Sequence, residues 1–495
     1  MVEPRSILKL KTGDLVPPEE DRRVEMYTYD VLLPCRRFEV DYKVAVLGHI
    51  SPTLEFLLRL LKAADGISED DARLFFGYNR TEMEFVVSEG LSPGYIERRA
   101  NRLWLTQAGE ALFSNTDDGP AIYSVESRRN VFGFDELAVA PQPMIALDQL
   151  EMGLPDLSLE VLKGRGRASK IVEERFHHFF RELGEREDRE RLQRRDLYSI
   201  GAAVAGERFQ VPVRIKLMAQ ASTPSMAEAD LTGWRPDQEM SDRPEIDQAV
   251  GRFLSELKIP KDDRQDNDGY RLLVELAPEF FHEYTISTGL SAERYWREAV
   301  SRAGEPRVDR PTIALVGSLL TQGNIERLLR ICDYGLRQSP PPGVTVAVPP
   351  MTKHWGASTL LRELGNLMRL KLRRSTEDET TEPEALCVFT GKPPKYLPHA
   401  FDSVLSLENC SLPSGFELFW VPGVAAVALV HAPLGAASLG TPVPLGFATF
   451  DPAVLKRIGD MMVEGVCRFL PDGKQRKAIE DEARRQWQDI AKVDP

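Results

Sequence analysis

The sharpest hydrophobic period in the chain lies in residues 46–115. Leu54, Leu57, Leu58 and Leu61 recur at i, i+3, i+4 and i+7, which places them on one face of a helix. Ser51-Pro52 stands where that helix should start: serine accepts a hydrogen bond from an orphan amide, and proline is tolerated at the first helical position. Ser68 with Asp71 repeats the start signal and predicts a second short helix. Asn79 predicts a third, on which Met83, Val86 and Val87 share a face and which Gly90 and Pro93-Gly94 end. Tyr95-Ile96 and Leu103-Trp104-Leu105 then flank Arg99-Ala100-Asn101 as a β-hairpin, and Thr106 caps a last short helix.

Elsewhere the period shortens to that of strands. Residues 1–45 alternate, as in Met26-Tyr27-Thr28-Tyr29-Asp30-Val31-Leu32-Leu33, and so do residues 116–150 and 196–235. Residues 151–195 differ. A basic loop, Lys163-Gly164-Arg165-Gly166-Arg167-Ala168-Ser169-Lys170, leads into a charge-rich helix over 172–196 that buries Val172, Phe176, Phe179, Phe180 and Leu183. The polar stretches 222–245 and 260–270 predict exposed loops, and 292–303 a helix. From Arg310 onward apolar strands alternate with helices, starting at Thr312-Ile313-Ala314-Leu315-Val316, which predicts a largely parallel sheet. The expected fold class is α+β multidomain, with a helical N-terminal unit between flanking strands and a C-terminal α/β domain. The expected domains are 1–115, a mixed middle region 116–309, and 310–495.

Charge narrows the partners. The net charge of −13 disfavours general polyanion binding, so contact with nucleic acid needs a local basic patch. Arg98, Arg99 and Arg102 at the hairpin tip form one such patch, and Lys163, Arg165, Arg167 and Lys170 another, whose glycines let the backbone approach phosphates. The five cysteines are scattered and never form CxxC pairs, which points to a reducing, cytoplasmic location and away from disulfides and structural zinc. The most apolar stretch, 416–430, is short for a membrane span and is broken by Pro422-Gly423. No metal or cofactor motif is expected: HExxH, GxSxG and GxxxxGK[ST] are missing, and His177-His178 lack a ligand one turn away.

Three helices and a basic-tipped hairpin, with Gly94, Tyr95, Ile96, Glu97, Arg98, Arg99, Arg102, Leu105, Thr106 and Gly109 at the wing, resemble the winged helix-turn-helix superfamily. That resemblance implies binding to DNA or to protein. The third helix carries Glu82, Glu84 and Glu89, which argues against reading bases. The C-terminal part resembles a phospholipase D-like domain, with His431 where that family has its nucleophile. The family's lysine two residues on is Pro433 here, and its Gly-Ser turn is Gly446-Phe447, so the resemblance implies a degenerate domain. His354 and His431 follow strand-like runs and form a conceivable pair.

Together these features predict a non-catalytic nucleic-acid-binding or scaffold subunit. The combination resembles subunits of prokaryotic DNA-processing or anti-phage (antiviral) defence complexes, with non-specific DNA and other protein subunits as partners and no membrane. The alternatives are a phospholipase D-like nuclease or phosphodiesterase using His431, with His354, and a winged-helix transcription regulator.

Overall fold

A computed structural model describes residues 15–16, 21–47, 51–113, 123–157, 168–184, 195–234, 243–287, 289–301, 304–375, 380–435 and 438–490. Its first element is long. Strand β1 (Arg23–Leu47) runs for 25 residues because alternate positions Phe38, Val40, Tyr42 and Val44 are buried while Arg37, Glu39 and Lys43 face solvent.

A module of helices and short strands follows: α1 (Pro52–Ala63), β2 (Ile67–Ser68), α2 (Glu69–Phe76), α3 (Arg80–Leu91), β3 (Ile96–Arg99), β4 (Arg102–Leu105) and α4 (Gln107–Ala111). Its helices start where the capping residues stand. Ser51, Ser68, Asn79 and Thr106 each accept a backbone N–H from three residues on, and Asn79 completes a capping box with Glu82. Ala100 and Asn101 both have positive φ in the two-residue turn that joins β3 to β4, the conformation a tight hairpin requires. The module has a core of its own, from Leu54, Leu57, Leu58, Leu61, Met83, Val86, Val87, Ile96 and Leu103.

The chain then returns along β1. Strand β5 (Tyr123–Asp135) pairs antiparallel with β1, starting at Leu47↔Tyr123, so the module is an insertion at the end of a ribbon. It is one continuous strand, in which the charged residues Glu126, Arg128 and Arg129 sit within the β1 register. Short β6 (Pro141–Gln142) edges β5. Helix α5 (Ala168–Gly184) lays Val172, Phe176 and Leu183 on Phe38, Val40, Tyr42 and Val44. The predicted helix to residue 196 is too long: Arg195 and Asp196 already pair with β1 in β7 (Arg195–Gln220). With β8 (Glu228–Asp230) the sheet order is β6-β5-β1-β7-β8. This sheet draws strands from both sides of residue 115, so the expected boundary there passes through hydrogen-bonded neighbours.

Helix α6 (Pro244–Leu257) packs on β1, with Phe253 edge-on to Tyr29 at 5.6 Å, and is followed by α7 (Asp263–Leu276). The second lies where sequence predicted a loop. Asp262 caps it, and Tyr270, Leu273 and Leu276 supply a buried face that the acidic composition of 262–268 obscures. Gly269 lets the helix approach the C-terminal sheet closely: a Cβ would stand 3.1 Å from the Val430 side chain. After α8 (Ala292–Ser301) comes the C-terminal unit: β9 (Thr312–Val316), α9 (Gln322–Gly335), β10 (Val344–Val348), α10 (Thr359–Leu372), β11 (Glu384–Thr390), β12 (Ser403–Leu407), β13 (Phe416–Val421), β14 (Ala425–Ala432), β15 (Val443–Thr449), α11 (Pro452–Gly465) and α12 (Lys474–Ile490).

Its seven-stranded sheet has the order β9-β15-β14-β13-β10-β11-β12. The expected largely parallel sheet is not observed. Only β10·β11 and β11·β12 are parallel; the other pairings are antiparallel. For β13 and β14 the physical reason is their short connection, Pro422-Gly423-Val424, which permits only an antiparallel return. Gly446-Phe447 are likewise not a turn but the middle of buried β15. The two large sheets share one core, joined through Met26, Tyr27, Tyr29 and Val31 of β1. No helix among the described residues is long and apolar enough to cross a membrane.

Candidate functional site

His431 lies near the end of β14, a strand whose eight residues are all buried. Its backbone N–H bonds Gly415 O at 2.8 Å, which fixes the strand end. Its ring reaches across to β1. Nδ1 lies 3.0 Å from the Tyr27 hydroxyl, and Nε2 lies 2.5 Å from Oε2 of Glu417 on β13. The donor and acceptor roles of the two ring nitrogens follow the tautomer. Burial, with Tyr29 and Glu417 nearby, holds the Tyr27 phenol well above its ordinary pKa. The result is a buried chain that joins Tyr27, His431 and Glu417.

This chain has the form of a histidine base oriented by an acid, but solvent does not reach it. His431 is 1% exposed and Glu417 is fully buried. Among the described residues no Lys or Arg pairs with Glu417, and its second oxygen, Oε1, has no hydrogen-bond partner.

His354 does not join it. Its ring packs on Phe253 at 5.2 Å, and Phe253, Tyr29 and Tyr27 then stand in sequence between the two histidines. Burial lowers the His354 pKa, with Glu256 opposing. Its backbone φ of 58° marks a turn held open by the following Gly356. The ring of His178 packs on Phe179. Among the described residues no group of His, Cys, Asp and Glu could hold a metal ion.

A second buried node joins the sheets, and nothing in the sequence signalled it. Asp30 of β1 takes Nε and Nη2 of Arg214 at 2.9 and 3.1 Å, the Thr359 N–H at 2.7 Å and the Ser358 hydroxyl at 3.0 Å. It thereby binds β1 and β7 to the N-terminus of α10. Burial alone would raise the carboxyl's pKa; Arg214 and Thr359 outweigh that and hold it below its ordinary value.

The hairpin arginines are engaged within the module. Arg98 bonds Glu69 at 3.1 Å and Glu84 at 2.8 Å, Arg99 bonds Glu97 at 2.5 Å, and Arg102 donates to Gly66 O at 2.8 Å. Residues 51–113 hold ten acidic and seven basic residues, so the module as a whole is acidic. Lys170 is exposed in the first turn of α5, in a helix and not the expected loop; Lys163, Arg165 and Arg167 lie outside the described residues.

The module instead exposes apolar side chains that the motif reading passed over. Leu74 and Phe75 of α2 are each 69% exposed, and Phe85 of α3 is 64% exposed. The signal was present in the spacing: Phe85 falls opposite Met83, Val86 and Val87 on the helix. No protein-family model, no curated protein and no solved structure matches this chain.

Proposed function

We propose that the chain is a non-catalytic scaffold subunit of a multi-protein assembly, in which residues 51–113 are a winged helix that docks protein. One observation carries this reading. The cations of the wing are spent on Glu69, Glu84, Glu97 and a backbone carbonyl, while Leu74, Phe75 and Phe85 stand in solvent. A DNA-binding face needs the reverse, free cations and few exposed apolar groups. The element order α1-β2-α2-α3-β3-β4 supports the winged-helix assignment.

The C-terminal unit fits a degenerate phospholipase D-like domain in its strand-helix-strand start and in its strand-borne His431. Pro433, the buried Tyr27–His431–Glu417 chain and the missing Gly-Ser turn count against catalysis. A winged helix beside such a domain is the basis for placing the assembly in prokaryotic DNA processing or anti-phage defence, in the cytoplasm.

The test is anisotropy with a random-sequence DNA duplex and the full chain at low salt. Weak binding that Arg98→Glu/Arg99→Glu leaves unchanged is expected. A loss of tenfold or more in that variant would replace the protein-docking reading with a nucleic-acid one. Cleavage of DNA or a phosphodiester that His431→Ala abolishes would overturn the non-catalytic assignment.

A further inference from the structure

Strand β5 forms one border of the ribbon. On one side it pairs with β1 without a break from Cys35↔Asp135 to Leu47↔Tyr123; on the other, β6 takes only Gly133 and Phe134. Among the described residues no strand pairs with that outer side from Tyr123 to Phe132. In an antiparallel ladder every second residue turns its N–H and C=O away from the paired neighbour, so this border presents a row of main-chain donors and acceptors. Proteins blunt such borders with proline, lysine or bulges. The β7 side of the ribbon is bulged: the β1·β7 register shifts at Arg36/Phe38, Val40/Tyr42 and Lys43/Val44. Strand β5 has no such device. Its register with β1 does not shift, and residues 123–132 contain neither proline nor lysine.

Length and charge select the occupant. Opposed residues of an antiparallel pair share a face, so two copies related by a two-fold axis normal to the sheet oppose residues of the same parity. An axis through Ser127 sets Tyr123 against the partner's Val131, which fills the border up to the point where β6 begins. The same register sets Glu126 against the partner's Arg128, and Arg128 against the partner's Glu126. Within one chain these two already bond each other at 2.8 Å, on the face that carries Tyr42 and Val44. Pairing keeps that bond and closes it into a ring of alternating sign across the axis. Arg129 stays on Asp41, on the opposite face. An axis through Arg128 would oppose arginine to arginine, and one through Glu126 glutamate to glutamate. The strand is therefore complementary to itself in one register. We propose that the protein self-associates by antiparallel pairing of β5 with β5 of a second copy, about an axis through Ser127. The joined ribbons form one sheet, β7-β1-β5-β5-β1-β7. The shared border is about 30 Å long, a small interface, so the dimer forms reversibly as concentration rises. This holds whatever the module of residues 51–113 binds.

The test is sedimentation velocity of the full chain over a concentration series. A monomer–dimer equilibrium is expected. Glu126→Arg and Arg128→Glu each place like charges around the axis and should weaken the dimer tenfold or more. An equimolar mixture of the two variants should recover it, because the arginines of one copy then face the glutamates of the other; a purely structural role for either residue would not give that recovery. Amide exchange of β1 reports whether each variant keeps the ribbon folded. Where either does not, Ser127→Cys carries the test, since its thiols meet at the axis within disulfide reach. Oxidation with diamide should link Ser127→Cys into a covalent dimer and leave Ser199→Cys, on β7, unlinked. A chain that stays monomeric at every concentration overturns the inference. So does a dimer that the folded single variants leave unchanged, a mixture no tighter than its components, or equal linking at both cysteine positions.

Discussion

Tyr27, His431 and Glu417 come from three strands, and His431 hydrogen-bonds both of the others in a site closed to water. Removing one member leaves a buried group unsatisfied. His431→Ala strands the Glu417 carboxylate and should cost about 3–5 kcal/mol, whereas Tyr27→Phe leaves only Nδ1 unbonded and should cost about 1–3 kcal/mol. Urea unfolding of the full chain gives both values, and equal small losses would show that the chain is not closed as described. Asp30 makes a pH prediction. Its folded pKa is lowered, so its contribution is present above the ordinary carboxyl value near about 4 and is lost as pH falls toward the folded value. The stability gap between wild type and Asp30→Asn should therefore be widest near neutrality and close in acid. A gap that does not change between neutral and acidic pH would contradict the Arg214 pairing. Neither node was legible in the sequence as a node. Tyr27 lies 404 residues from His431, and Asp30 lies 329 from Thr359, so no local pattern ties them.

At the scale of elements, the capped helices of 51–113 were the most readable part of the chain. Each cap acts within three residues, and each apolar face repeats within two turns, so short windows contain the whole cause. Asn79→Ala removes the side-chain half of the α3 capping box, the acceptor for the Glu82 N–H, and should cost about 1 kcal/mol. Amide exchange should quicken in residues 80–91 and leave β13 and β14 unchanged; uniform quickening would mean that the module is not a separate cooperative unit. Strand β15 was misread because Gly446 looks like a turn residue. In the structure it is a contact residue: a Cβ there would lie 2.0 Å from Ala428 O on β14. Gly446→Ala should therefore fail to fold or lose several kcal/mol, far beyond the roughly 0.5–1 kcal/mol gain that alanine brings to an ordinary strand position. A variant as stable as wild type in urea would show that the two strands are not so close.

The whole molecule has a large core shared by both sheets, a small one inside residues 51–113, and a third between α5 and the outer half of the ribbon. Because the module is spliced in where Leu47 faces Tyr123, a short turn can replace residues 48–122 without breaking a strand pair. Thermal unfolding of that deletion should lose one transition and keep the main one within a few degrees. A collapse of the main transition would show that the module supports the large core.

Sequence alone determined what short-range forces determine: the helix starts at Ser51, Ser68 and Asn79, the hairpin at Ala100-Asn101, the acidic third helix, and the missing cation two residues after His431. Only the tertiary structure decided the rest. Strand direction in the C-terminal sheet, the burial of His431 against Tyr27 and Glu417, and the pairing of Arg98 with Glu69 and Glu84 all join residues distant in the chain. Their free energy comes from desolvation and from partners that only the folded layers bring within hydrogen-bonding reach, and no window of local sequence holds both halves of such a contact.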